Sequence, residues 1–126
     1  MSLRSPLGRV LGLGSAKSGT GHWWGQRVSA IALIPLSLWF VFSLLLLPSL
    51  DFATARAWLH WPVSGFLAIL LVAVVAYHSY LGTTVVVEDY VHAEGYKLIG
   101  LLLLRFLHVL VAGAAIFAIL RIAFGT

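Results

Sequence analysis

The chain has no cysteine. A disulfide, a thiolate metal site and a cysteine nucleophile are therefore excluded, and metal ligation is left to histidine and carboxylate. Charge is scarce too. Asp, Glu, Lys and Arg make up 10% of the residues, against about 25% in an ordinary soluble domain. The acidic residues are four, Asp51, Glu88, Asp89 and Glu94, so none precedes residue 51. There is no phosphate-binding loop, zinc motif, nucleophile triad, internal repeat or coiled-coil heptad. The net charge is +4, but the cations are scattered singly. That pattern argues against a nucleic-acid surface and is better read as membrane topology.

What the chain does have is apolar surface: 61% of its 126 residues are hydrophobic, and the mean hydropathy is +1.02. A soluble core of this size cannot hide that much, so lipid must be the solvent. Val28 to Leu50 carries no charge and reaches about 35 Å as a helix, enough to span. Pro35 is expected to kink it, and Pro48 lies near its end. Asp51 to Trp61 reads as a short polar turn with Arg56, and Pro62 suits the first turn of the next helix. The third span holds Arg105, His108 and Arg121, and Gly113, Ala114, Ala115 and Ala118 give it a small-residue surface for close packing.

The expected fold is therefore all-α, an integral membrane protein with three transmembrane helices at about 28–50, 62–87 and 98–124. They form one domain, 22–126, behind a flexible cytoplasmic tail, 1–21, for which an organelle transit segment is the alternative. Trp23 and Trp24 beside Arg27, and Trp58 and Trp61 at the other end, form two interfacial belts. Arg4, Arg9, Lys17, Arg27, Lys97 and Arg105 fall at one end of the spans, Arg56 and Arg121 at the other. The positive-inside rule then puts the N-terminus and the Glu88–Glu94 loop inside and the C-terminus outside.

The stretch that carries chemistry is His78 to Tyr90. His78 lies near mid-membrane, and Asp89 and Tyr90 lie where its helix meets water. At about 100° and ~1.5 Å per residue, His78 and Asp89 share a face roughly 16 Å apart. Gly82, one turn from His78, leaves a gap for a flat cofactor or a neighbouring helix. A neutral imidazole held by a membrane helix suits a haem iron, and the alternative is an interhelical hydrogen bond. His108 has a similar depth, so an intrachain bis-histidine site is conceivable, with Arg105 one turn away facing a propionate. The alternative for both is contact with a partner subunit or a snorkelling arginine. A phenol beside a carboxylate at a membrane edge, Tyr90 with Asp89, suits an apolar ligand with a carbonyl head, such as a quinone. An interfacial tyrosine at a helix end is the bland alternative. His22, His60 and His92 show no spacing signal.

The pattern His78-x3-Gly82-x6-Asp89-Tyr90, closing the second of three spans, resembles the small hydrophobic D-type anchor subunits of succinate dehydrogenase (respiratory complex II). Gln26-Arg27-Val28-Ser29-Ala30, opening the first span, resembles them too, and the likeness covers about residues 22–124. It implies a hetero-tetramer, with trimerisation left open, in a bacterial inner membrane or, as second choice, a mitochondrial one. In that complex a flavoprotein subunit oxidises succinate and an iron–sulfur subunit carries electrons. Two membrane anchors hold haem b and reduce ubiquinone, and this chain supplies no residue to the succinate chemistry. By resemblance His78 is one axial ligand of the haem iron, with a histidine of the sister anchor opposite. Tyr90 hydrogen-bonds the quinone with Asp89 adjacent, and Arg27 lies near the haem propionates or the quinone pocket. The alternative is a cofactor-free structural anchor or assembly partner, which lacks a b-type absorption spectrum.

Overall fold

The structure, a computed structural model, describes residues 16–125. Most of the expected N-terminal tail, up to residue 15, lies outside the described residues. Four helices follow: α1, Ala16–Leu46; α2, Phe52–His60; α3, Pro62–Tyr90; and α4, Glu94–Phe124. The three long ones are apolar and long enough to cross a membrane, so the chain is a multi-pass membrane protein.

The boundaries differ from those expected, for local reasons. α1 begins twelve residues before Val28, because nothing in His22-Trp23-Trp24-Gly25-Gln26-Arg27 stops a helix. It ends at Leu46, short of Leu50, because Pro48 disfavours helical backbone in the residue before it. Pro35 sits inside α1, which continues through it. α3 runs on to Tyr90, so Asp89 and Tyr90 are its last turn and not a loop. α4 starts at Glu94, whose carboxylate suits a helix N-terminus. Gly95 falls in that first turn, where glycine does not interrupt the helix.

The segment expected as a polar turn contains α2. Asp51 is its N-cap and accepts a hydrogen bond from the Thr54 amide at 2.8 Å. The Ser49 hydroxyl donates to the other carboxylate oxygen at 2.5 Å. These bonds, Ser49's first, hold the Asp51 carboxyl below its ordinary value. Trp58 of α2 stacks on Trp39 of α1 at 5.6 Å and 21°, and Arg56 donates to the Gly125 carbonyl at 2.8 Å. Gly65 is required where α2 turns into α3, since a Cβ there would meet the Leu59 carbonyl oxygen at 2.8 Å.

α3 is the middle of the molecule. It packs against α1 on one side and α4 on the other, while α1 and α4 do not pack on each other. The interior is thin: Leu36, Ala68, Leu81 and Ala123 are its buried apolar residues, and Ser29, Ser64 and Thr84 are buried beside them. Large apolar side chains such as Leu46, Phe106, Leu110 and Phe117 face outward. The small-residue surface of α4 is largely unpartnered: a Cβ at Gly113 would meet nothing within 4 Å, and Ala114 and Ala118 are exposed.

Candidate functional site

Consecutive residues of α3 face different neighbours, because one residue turns the helix by about 100°. His78 faces α1 and Ser79 faces α4. Ser29 of α1 is 5% exposed, so its hydroxyl has no water to fall back on. It lies 2.7 Å from the Gly25 carbonyl, 3.1 Å from that of Gln26 and 2.9 Å from His78 Nδ1. A serine has one proton to donate. Donated to Gly25, the shortest of the three contacts, it leaves the oxygen to accept from Nδ1–H of His78. With that assignment the imidazole is held in orientation with its proton on Nδ1, and Nε2 makes no hydrogen bond among the described residues. That is the donor arrangement a metal-binding imidazole needs.

His108 is held the opposite way. Its Nδ1 donates to the Leu104 carbonyl at 2.9 Å, so in the neutral ring Nε2 is an acceptor. That acceptor takes the Ser79 hydroxyl at 3.2 Å, and Tyr80 packs edge-on against the ring at 5.8 Å. Both nitrogens of His108 are thus engaged inside the chain. The structure does not bring the two histidines together, and among the described residues no three His, Asp or Glu side chains cluster as a metal site.

Towards Glu88, an open groove of about 600 Å³ separates α1 from α3, lined by Gly19, His22, Trp23, Gln26, Gly82, Val85 and Glu88. His22 Nε2 and Gln26 Oε1 are buried there without a hydrogen-bond partner. An orphaned buried polar atom costs about 1–3 kcal/mol, so the groove is suited to a polar occupant. Gly82 lines it, and a Cβ there would meet Gln26 Nε2 at 3.6 Å. The gap left by this glycine therefore faces α1 and the groove together. The sequence reading missed His22 and Gln26. The signal was their spacing from Ser29: positions 19, 22, 26 and 29 repeat at helical intervals on one face.

Asp89 and Tyr90 end α3 exposed, Tyr90 at 78%. His92 Nδ1 donates to the Tyr90 carbonyl at 3.1 Å, leaving the phenol free. Arg27 is exposed, does not line the groove, and stacks over the Trp23 ring at 5.5 Å. Arg105 is exposed on α4.

These features define a three-span membrane protein with one mid-helix histidine held through a single ring nitrogen and an exposed tyrosine at the helix end. Residues 1–119 match the family described as succinate dehydrogenase/fumarate reductase transmembrane subunit. The chain belongs to that family. It is 39% identical over 90 residues to a succinate dehydrogenase hydrophobic membrane anchor subunit of Rickettsia bellii, covering 70% of each chain. The anchor subunit of Rickettsia conorii is 38% identical over 62% of this chain and 63% of its own. That of Paracoccus denitrificans is 31% identical over 121 residues, 96% of this chain and 93% of the relative. No solved structure matches.

Proposed function

We propose that this chain is a membrane anchor subunit of a succinate:quinone oxidoreductase in a bacterial inner membrane. It works beside a flavoprotein, an iron–sulfur protein and a second anchor. His78 would hold a haem b shared with the second anchor through its imidazole, and Tyr90 with Asp89 orients ubiquinone at the inner end of α3. The N-terminus and the Asp89-Tyr90 end lie inside and the C-terminus outside.

The observation that carries this reading is the contrast between the two mid-membrane histidines. His78 is anchored through Nδ1 and its Nε2 makes no bond among the described residues, whereas His108 has both nitrogens engaged. The residues fit the group: a neutral imidazole held by a hydroxyl on a second helix, next to a groove with two unpaired polar atoms. When bound, the haem supplies one-electron storage between donor and acceptor.

The remaining roles belong to side chains of this protein. Ser29 sets the tautomer of His78. The Tyr90 hydroxyl donates to a quinone carbonyl, a bond that strengthens as negative charge develops on that oxygen during reduction. Asp89 beside it is placed to relay a proton to the reduced quinone.

The test is purification in mild detergent followed by a reduced-minus-oxidised spectrum. A b-type band that His78→Ala abolishes or shifts supports the assignment. A complex with no such band favours the cofactor-free anchor. Reporter fusions test the sidedness: Glu94 should report inside and Asp51 outside, and an outside signal at Glu94 overturns the arrangement.

A further inference from the structure

A second site lies at the opposite end of the helices, more than 25 residues along α3 from Tyr90. Arg56 of α2 and Arg121 of α4 line one groove of about 420 Å³, with Phe52, Phe117, Ala118 and Ile122 as its apolar wall. Among the described residues no carboxylate lines it. The neighbouring acid, Asp51, is engaged elsewhere: Ser49 and the Thr54 amide hold both its oxygens. Arg56 is held in place by its bond to the Gly125 carbonyl, which uses one of five guanidinium N–H donors. The Arg121 side chain, also exposed, makes no hydrogen bond or ion pair within the described chain. Two guanidinium groups therefore share a groove in which no described side chain neutralises them, an arrangement that favours a bound anion.

The surroundings say which anion. Trp58 and Trp61 mark this end as the headgroup level of the bilayer. The apolar wall follows α4 from Ile122 back through Ala118 and Phe117 towards the hydrocarbon. A water-soluble anion would gain nothing from such a wall, whereas a lipid lays its acyl chain along it. We propose that this groove binds an anionic phospholipid, the phosphate between Arg56 and Arg121 and one acyl chain along Phe117 and Ala118. The lipid would cover the seam where α2 meets the end of α4.

The experiment uses the full chain in its detergent-solubilised complex, stripped of lipid and resupplied with equal phosphatidylglycerol and phosphatidylcholine of identical acyl chains. Native mass spectrometry reads the ratio of the two lipids retained. Wild type should favour phosphatidylglycerol. R121Q should lower that preference about fivefold, and R121K should keep it. The Arg121 side chain makes no bond among the described residues, so R121Q leaves the fold intact; R56Q also cuts the tie to Gly125 and needs a matched thermal-unfolding control. Excess inorganic phosphate should not displace the lipid. Equal retention of both lipids by wild type, an unchanged preference in R121Q, or displacement by inorganic phosphate would each overturn the proposal.

Discussion

The hydroxyl of Ser29 on α1 stands 2.9 Å from Nδ1 of His78 on α3. Two residues 49 positions apart in sequence thereby meet at one imidazole, and a Ser29 that donates to the Gly25 carbonyl leaves Nδ1 to carry the ring proton. Removing the hydroxyl leaves the imidazole in place and frees its orientation. Ser29→Ala is expected to weaken haem retention about 10- to 100-fold, the usual effect of losing a partner behind a metal ligand. The haem-to-protein ratio after dilution in detergent measures it, and an unchanged ratio removes Ser29 from the site.

His78 and His108 should behave differently on replacement. His78→Ala is expected to lose haem or shift its spectrum. His108→Ala should leave the spectrum largely intact, at a cost of about 0.6 kcal/mol for the lost interhelical bond to Ser79. The reverse outcome would transfer the ligand role to His108.

Tyr90→Phe keeps the ring and removes only the donor. Quinone reduction should fall roughly tenfold or more, since a hydrogen bond to a developing charge is worth about 1.5–3 kcal/mol. Succinate oxidation by a soluble artificial acceptor should hardly change. Equal losses in both assays would point to failed assembly.

Two glycines of α3 give opposite predictions. Gly65→Ala forces a Cβ to within 2.8 Å of the Leu59 carbonyl oxygen, a backbone atom that cannot swing aside. It should destabilise the α2–α3 corner by about 1–3 kcal/mol. Gly82→Ala meets Gln26 Nε2 at 3.6 Å, an ordinary contact, and a helical alanine gains up to about 1 kcal/mol over glycine. Thermal unfolding in detergent should rank Gly65→Ala below wild type and Gly82→Ala level with or above it.

The cap of α2 titrates. Bonds from Ser49 and Thr54 hold the folded Asp51 carboxyl below 3.8. The stabilisation is therefore complete above that value and is lost as pH falls through the lower, folded value. Asparagine also caps helices but does not titrate. Limited proteolysis of residues 52–60 should accelerate below pH 3.8 in wild type, and Asp51→Asn should show no such step.

The three spans were legible because an uncharged apolar run longer than a bilayer is thick leaves few alternatives. α2 was not, although Asp51 followed by Thr54 is a capping signal. A nine-residue helix in the stretch between Pro48 and Pro62 reads as a turn when the arginine in it is given more weight than the cap. His78, Asp89 and Tyr90 could be singled out from depth and spacing on one helix. What separates His78 from His108 could not, since their depths match and the difference lies in serines supplied by other turns and other helices. The same holds for His22 and Gln26, whose loss of water depends on α3 lying across them.

Among the described residues α1 and α4 do not pack on each other and are bridged by α3 and the short α2. A copy that fails to find its neighbours in the membrane consequently keeps most side chains of these two helices facing lipid. Such an orphan has little to resist extraction by a membrane protease. The amount of this chain in the cell should follow the supply of the subunits beside it, whatever the rate at which its own message is translated.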